Sequence, residues 1–115
     1  MRRGDVYWVD LDPARGSEAA KTRPAVLVSN DAANRTAERL GRGVVTVVPL
    51  TSNLRRVFPY QVFVPAHVSG LNADSKAQAE QVRTVATVRL RNRAGRLTPE
   101  LLGDLDRALA LHLGL

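Results

Sequence analysis

The sequence predicts a mainly β domain: a small, strongly bent antiparallel sheet or half-open barrel packed by one C-terminal α-helix. Three observations predict it. Short valine-rich runs recur through most of the chain and are broken by Gly, Pro, Asp and Asn. Only the closing segment shows a long helical spacing of leucines. With 115 residues the chain holds one core and not two, so residues 1–115 are read as a single domain.

Val6-Tyr7-Trp8-Val9 is the first expected strand, with Gly4 before it and Asp10 to Pro13 ending it. Asp12–Thr22 is a polar loop, long for a strand connection, and such loops are often functional. Ala25–Ser29 is a second strand. Asn30 or Asp31 then caps a short helix with Ala33, Ala37 and Leu40 at helical spacing and Gly41 as its stop. Gly43–Leu50 is apolar on both faces and therefore central, although Pro49 cannot donate to a ladder and places that end at an edge or bulge. After the polar loop Ser52–Tyr60 come strands at Gln61–Pro65 and Ala77–Val82, then Thr84–Leu90 with alternating apolar residues. Thr98 caps the last helix and Pro99 takes its first position. Leu101, Leu105, Ala108, Leu109 and His112 form its stripe, which makes His112 a core or interface residue. Leu102 and Leu113 extend the apolar surface and point to a dimer contact.

Composition narrows the chemistry. There is no cysteine, so a disulfide framework and a thiolate metal site are both excluded. His67 and His112 stand at no metal-ligand spacing from an acidic partner, and no metal or other cofactor is expected. The apolar runs are too short to span a bilayer and no signal peptide is visible, so a cytoplasmic location away from the membrane is expected. Arg3-Gly4-Asp5 is taken as a chance tripeptide. Net charge is +6, and no acid occurs between Arg39 and Ala73 or across Gln81–Pro99. The second stretch holds Arg83, Arg89, Arg91, Arg93 and Arg96. Acid-free basic blocks favour a polyanionic partner over a merely solvated surface.

Two strands carry polar chemistry at one end. Arg23 enters RPAVLVSN (Arg23–Asn30), and Thr51-Ser52-Asn53 leaves VVPLTSN (Val47–Asn53). If the strands are neighbours, a permanent cation and a cluster of hydroxyl and amide groups share one rim, where a phosphate could be gripped. Taken singly, Arg23 could instead pair with Glu18, and a strand-terminal threonine is common. Without a thiol, a metal cluster or a His–carboxylate pair, a hydrolase that makes its own nucleophile is poorly served. RNA brings its own in the 2′-hydroxyl. The protein then has to orient the phosphate, stabilise the pentavalent transition state and manage two protons. Glu18 is the obvious carboxylate for proton transfer, with Arg23 as an alternative general acid. Tyr7, Trp8, Phe58 and Tyr60 are rings that could stack bases; Trp8 in a first strand is more often core, and Phe58 and Tyr60, next to the Arg-bearing loop, are the better candidates.

GDVYWVDLDPARGSE (Gly4–Glu18), RPAVLVSN, VVPLTSN, AEQVRTVA (Ala79–Ala86) and the leucine-rich last helix, in this order and spacing, resemble the MazF/PemK-type toxins of bacterial toxin–antitoxin pairs. The resemblance runs from about Arg3 to the C-terminus. It implies an SH3-like antiparallel barrel (MazF/PemK/CcdB-like) with a C-terminal helix, assembled as a homodimer. It also implies a cofactor-free, metal-independent endoribonuclease that cuts single-stranded RNA, with mRNA the foremost target, at a short sequence. The products would be a 2′,3′-cyclic phosphate and a 5′-hydroxyl. By this resemblance Arg23 and Thr51 are the catalytic pair, while Ser17, Glu18 and Gln81 line the RNA groove. Ser52, Asn53, Arg55 and Ser75 occupy groove positions that vary among relatives. A MazE-like antitoxin with an acidic, disordered C-terminal tail would cover the same groove. The rival readings are a gyrase-poisoning toxin on the same barrel and a non-catalytic RNA-binding module.

Overall fold

Seven strands and three helices follow from the punctuation of the chain, and the computed structural model describes all residues, 1–115. The strands are β1 (Asp5–Asp10), β2 (Thr22–Leu27), β3 (Val44–Thr51), β4 (Gln61–Val64), β5 (Ser75–Gln78), β6 (Arg83–Ala86) and β7 (Leu90–Arg96). The helices are α1 (Asp31–Leu40), α2 (Ala66–Ser69) and α3 (Pro99–Leu113). All pairings are antiparallel in the order β4-β5-β3-β2-β1-β7, with β6 also on β3. The sheet carries helices and turns against both faces, which is the mainly β, bent-sheet architecture with a terminal helix that the sequence predicts.

Period-2 alternation sorts the central strands between two cores. Val6, Val26, Val48 and Leu50 join Leu105 and Ala108 of α3 on one face, while Val9, Ala25, Leu27, Val45 and Val47 join Ala37 of α1 on the other. Burial on both sides is why β1 to β3 read as near-continuous apolar runs. Both long helices are capped as the sequence suggests. The side chains of Asn30 and Thr98 accept from Ala33 N and Leu101 N, and Gly41 ends α1 in the left-handed region at φ 65°. No helix is long and apolar enough to cross a membrane.

The details depart from expectation in instructive places. The second strand begins at Thr22 and ends at Leu27, so Arg23 lies inside it. The buried positions of α1 are Asn34 and Ala37, and Ala33 and Leu40 face solvent. Asn34 is completely buried because its amide bonds Ser29, whose hydroxyl accepts from Thr46 N, so a polar residue does the packing expected of alanine and leucine. Pro49 is paired with Ala25 in a central strand and not at an edge. It falls where the other side of β3 passes from β6 (Val44–Val47) to β5 (Leu50–Thr51). The fifth strand is Ser75–Gln78, and a 3-10 turn occupies Ala79–Gln81 where strand was expected. His112 is exposed in the isolated chain.

Strand β7, with the sequence LRNRAGR, shows no apolar alternation and was not foreseen. Its stability comes from partners. It pairs with β1 through two register shifts, and Arg93 and Arg96 reach the buried Asp5 at 3.3 and 2.8 Å. Two glycines let α2 press against it: a Cβ on Gly70 would meet Ala94 O at 2.3 Å, and one on Gly95 would meet Ser69 O at 2.1 Å.

Candidate active site at the rim of β2 and β3

The β2–β3 ladder pairs Leu27 with Val47 and Ala25 with Pro49. Continuing that register two residues further along each strand sets Arg23 opposite Thr51, as directly opposed cross-strand neighbours. Arg23 Nη1 donates to Thr51 Oγ1 at 3.3 Å, and Arg23 Nε donates to Ala20 O at 2.8 Å. The guanidinium is therefore tethered on one side, and its Nη2 has no protein partner. Thr51 Oγ1 also accepts from Asn53 N at 3.3 Å. Its two acceptor positions are thus used by protein donors, and its own proton is left to donate outward.

Arg23 and Thr51 open onto one cavity of about 250 Å³. Ser52 and Ser75 line it too, and its apolar walls include Pro24, Leu50 and Leu71. Trp8 is also part of the wall. It is 38% exposed at the rim, contrary to the preference for the core. Sequence reasoning counted it among the rings that could stack bases but preferred the core, because a tryptophan in a first strand is usually buried. The pairing of Trp8 with Pro24, the residue after Arg23, is a tertiary fact. Ser75 is buried, with its hydroxyl donating to Ala73 O. Asn53 and Arg55 sit on the exposed loop just beyond Thr51, where Asn53 Oδ1 accepts from Arg55 N. Phe58 and Tyr60 stack on one another at 5.3 Å, and the Arg56 guanidinium lies over Phe58. These two rings satisfy each other.

The long loop before β2 is fastened from across the molecule. Gln81 Nε2 donates to Ser17 O and Gln81 Oε1 accepts from Ala19 N, both at 3.0 Å. Ser17 and Glu18 are exposed. Glu18 lines a separate depression with Glu80, Gln81 and Arg83, and Arg23 is held by Ala20 and Thr51 instead of by this carboxylate. No Asp or Glu lines the Arg23–Thr51 cavity.

The basic blocks divide sharply. Arg83 donates to Leu11 O, Arg89 to the carbonyls of Asp10 and Asp12, and Arg91 pairs with Asp10. Arg93 and Arg96 pair with Asp5. The arginines of the acid-free Gln81–Pro99 segment thus also tie β6 and β7 to the first strand and the loop after it, and Arg91 and Arg93 remain about half exposed. Burial pushes the Asp5 carboxyl upward. The Arg2 N–H, the hydrogen bond from Arg96 and the charges of Arg93 and Arg96 outweigh it, so the group titrates below its ordinary value.

Residues 2–113 match the family described as PemK-like, MazF-like toxin of type II toxin–antitoxin system. The chain is 61% identical over 115 residues to Endoribonuclease MazF9 of Mycobacterium tuberculosis, covering all of this chain and 98% of that one. Among solved structures it resembles an endoribonuclease in complex with its cognate antitoxin from a mycobacterial species. There the TM-score is 0.76 and the identity 29%, over 100% of this chain and 96% of the other. The fold alone is shared with MazF from Deinococcus radiodurans, at TM-score 0.79 and 22% identity over 100% and 97% of the two chains.

Proposed function

This chain belongs to the PemK-like, MazF-like toxin family of type II toxin–antitoxin systems, and we propose that its endoribonuclease activity runs by transesterification at the Arg23–Thr51 rim. The observation that carries this reading is the 3.3 Å contact between the Arg23 guanidinium and the Thr51 hydroxyl at the mouth of one cavity. A scissile phosphate there would receive charge-assisted hydrogen bonds from the free edge of Arg23 and one from the unclaimed proton of Thr51. The RNA's own 2′-oxygen forms a bond to phosphorus and the P–O5′ bond breaks. One proton leaves the 2′-hydroxyl and one reaches the 5′-oxygen, giving a 2′,3′-cyclic phosphate and a 5′-hydroxyl. Negative charge grows on the phosphoryl oxygens as the pentavalent state forms, and donors fixed in advance stabilise it without reorganising.

The substrate is single-stranded RNA, foremost mRNA, cut at a short sequence. Ser52, Ser75, Asn53 and Arg55 lie within or beside the cavity, and the loop bearing Ser17 and Glu18 flanks Arg23, so these residues form the banks of the groove. Gln81 acts on the groove by holding that loop. A cognate antitoxin with an acidic tail would compete for the same cations, and the exposed Arg15, Arg23-side rim and Arg55 support that mode of neutralisation. Exposed Phe63, Leu111 and Leu113 support assembly as a homodimer. The protein works in the cytoplasm, where its RNA is.

The test is cleavage of a long single-stranded RNA in EDTA with mapping of the ends. Cyclic phosphate and 5′-hydroxyl termini are expected, and replacing the 2′-hydroxyl by hydrogen at the cut site should abolish the reaction. Cutting of that deoxy substrate would make water the nucleophile, and intact RNA would remove the catalytic reading altogether.

A further inference from the structure

We infer that Trp8 is the floor of a nucleobase subsite, stacking an unpaired base of the nucleotide whose phosphate is held by Arg23 and Thr51. This inference rests on the endoribonuclease reading of the same rim and deepens it. The indole is 38% exposed, and it shares one cavity with the phosphate-gripping pair. Its β-ladder neighbour is Pro24, which shares its face of the sheet, while Arg23, one residue before, belongs to the other face, so the ring and the guanidinium reach the same cavity from the two faces at the strand ends. A cation and an aromatic ring lining one cavity are the combination single-stranded nucleic acid uses, because every base has a π-face and every nucleotide a phosphate.

The rest of the lining supplies what a stacked base needs at its edge. Leu71 gives an apolar contact. The Asn72 side chain forms no hydrogen bond within the protein, so its amide keeps donors and an acceptor for a base edge. Ser75, with its proton committed to Ala73 O, offers only acceptor capacity. Phe58 and Tyr60 stack on each other and do not line this cavity, leaving Trp8 as the ring in its wall.

The chain contains a single tryptophan, so fluorescence excited beyond the tyrosine absorption band reports on this subsite alone. The probes are a random-sequence pool of short 2′-deoxyoligonucleotides, which carry bases but no internal nucleophile, and inorganic polyphosphate, which carries charge without bases. Saturable quenching by the oligonucleotides and none by polyphosphate is expected. Trp8→Ala should raise the KM for RNA cleavage roughly ten-fold or more while kcat changes little, and Trp8→Phe should recover most of that loss. Unchanged fluorescence with saturating oligonucleotide, in a protein that still cuts RNA, overturns the subsite and leaves the endoribonuclease reading standing. Equal quenching by polyphosphate also overturns it, by reducing the effect to charge. A response to an acidic peptide with apolar side chains, with none to oligonucleotides, would assign the pocket to a protein tail instead. Quenching by oligonucleotides in a protein that cuts no RNA would uphold the subsite while removing the catalytic reading. Should Trp8→Ala fail to fold, the wild-type titrations and Trp8→Phe still decide the matter.

Discussion

Arg23 is fixed through Nε on Ala20 O and Nη1 on Thr51 Oγ1, so the direction of its remaining N–H groups is set before any phosphate arrives. Charge alone should not replace that geometry. Arg23→Ala is expected to lower kcat/KM about 100- to 1,000-fold, the usual cost of losing one fixed electrostatic donor. Arg23→Lys should recover little, because an ammonium keeps the charge but not the fork. Thr51→Ala should cost less, and Thr51→Ser should retain most activity since the hydroxyl remains. Steady-state cleavage of a fluorogenic RNA measures all four variants, with thermal melting as the check on folding. Wild-type turnover in Arg23→Ala would take this residue out of the mechanism. Both residues were legible in the letters, because polar groups at the ends of apolar strands stand out. Trp8 was legible only as one of several rings and was weighed towards the core, because a letter in a strand does not say whether its face is covered.

The loop between β1 and β2 depends on one side chain from the 3-10 turn after β5. Gln81 closes two hydrogen bonds to it, each worth about 1 kcal/mol net. Gln81→Ala should therefore speed amide exchange at Ala19 by roughly 30-fold and lower cleavage. Global melting should hardly move, since the loop is largely exposed. Hydrogen exchange read by mass spectrometry checks this, and an unchanged loop would mean the latch carries no load. Gln81→Glu keeps the acceptor for Ala19 N but loses the donor to Ser17 O, so an intermediate effect is expected. Glu18 and Gln81 were both singled out in the sequence, but their division of labour was not. A glutamine signals hydrogen bonding without naming its partner. Strand β7 was invisible for a related reason: its residues are arginines and small residues whose partners, Asp5, Asp10 and α2, lie far away in the chain.

Across the whole molecule the buried Asp5 joins the N-terminal strand to β7, and its depressed pKa links folding to pH. A carboxyl whose folded pKa lies below its unfolded value of about 3.9 contributes stability above that value. The contribution is lost as pH falls through the folded pKa. Asp5→Asn should destabilise the protein by roughly 2 kcal/mol at neutral pH, and the deficit should shrink in acid. Melting temperatures of the two proteins across pH 2 to 7 test this, and parallel curves would sink the linkage. The same arginines illustrate how far the chain could be read in advance. Most of the strands, the caps and the terminal helix follow from local periodicity and end chemistry, which are properties of neighbouring letters, whereas β7 and the meeting of Arg23 with Thr51 needed the sheet. Occupancy is different. Whether an arginine is free for a polyanion or tied to a carbonyl, and whether an indole is covered or open, depends on which distant groups arrive beside it. Hydrogen bonds and burial are pairwise and long-range, so those choices were made by the folded sheet.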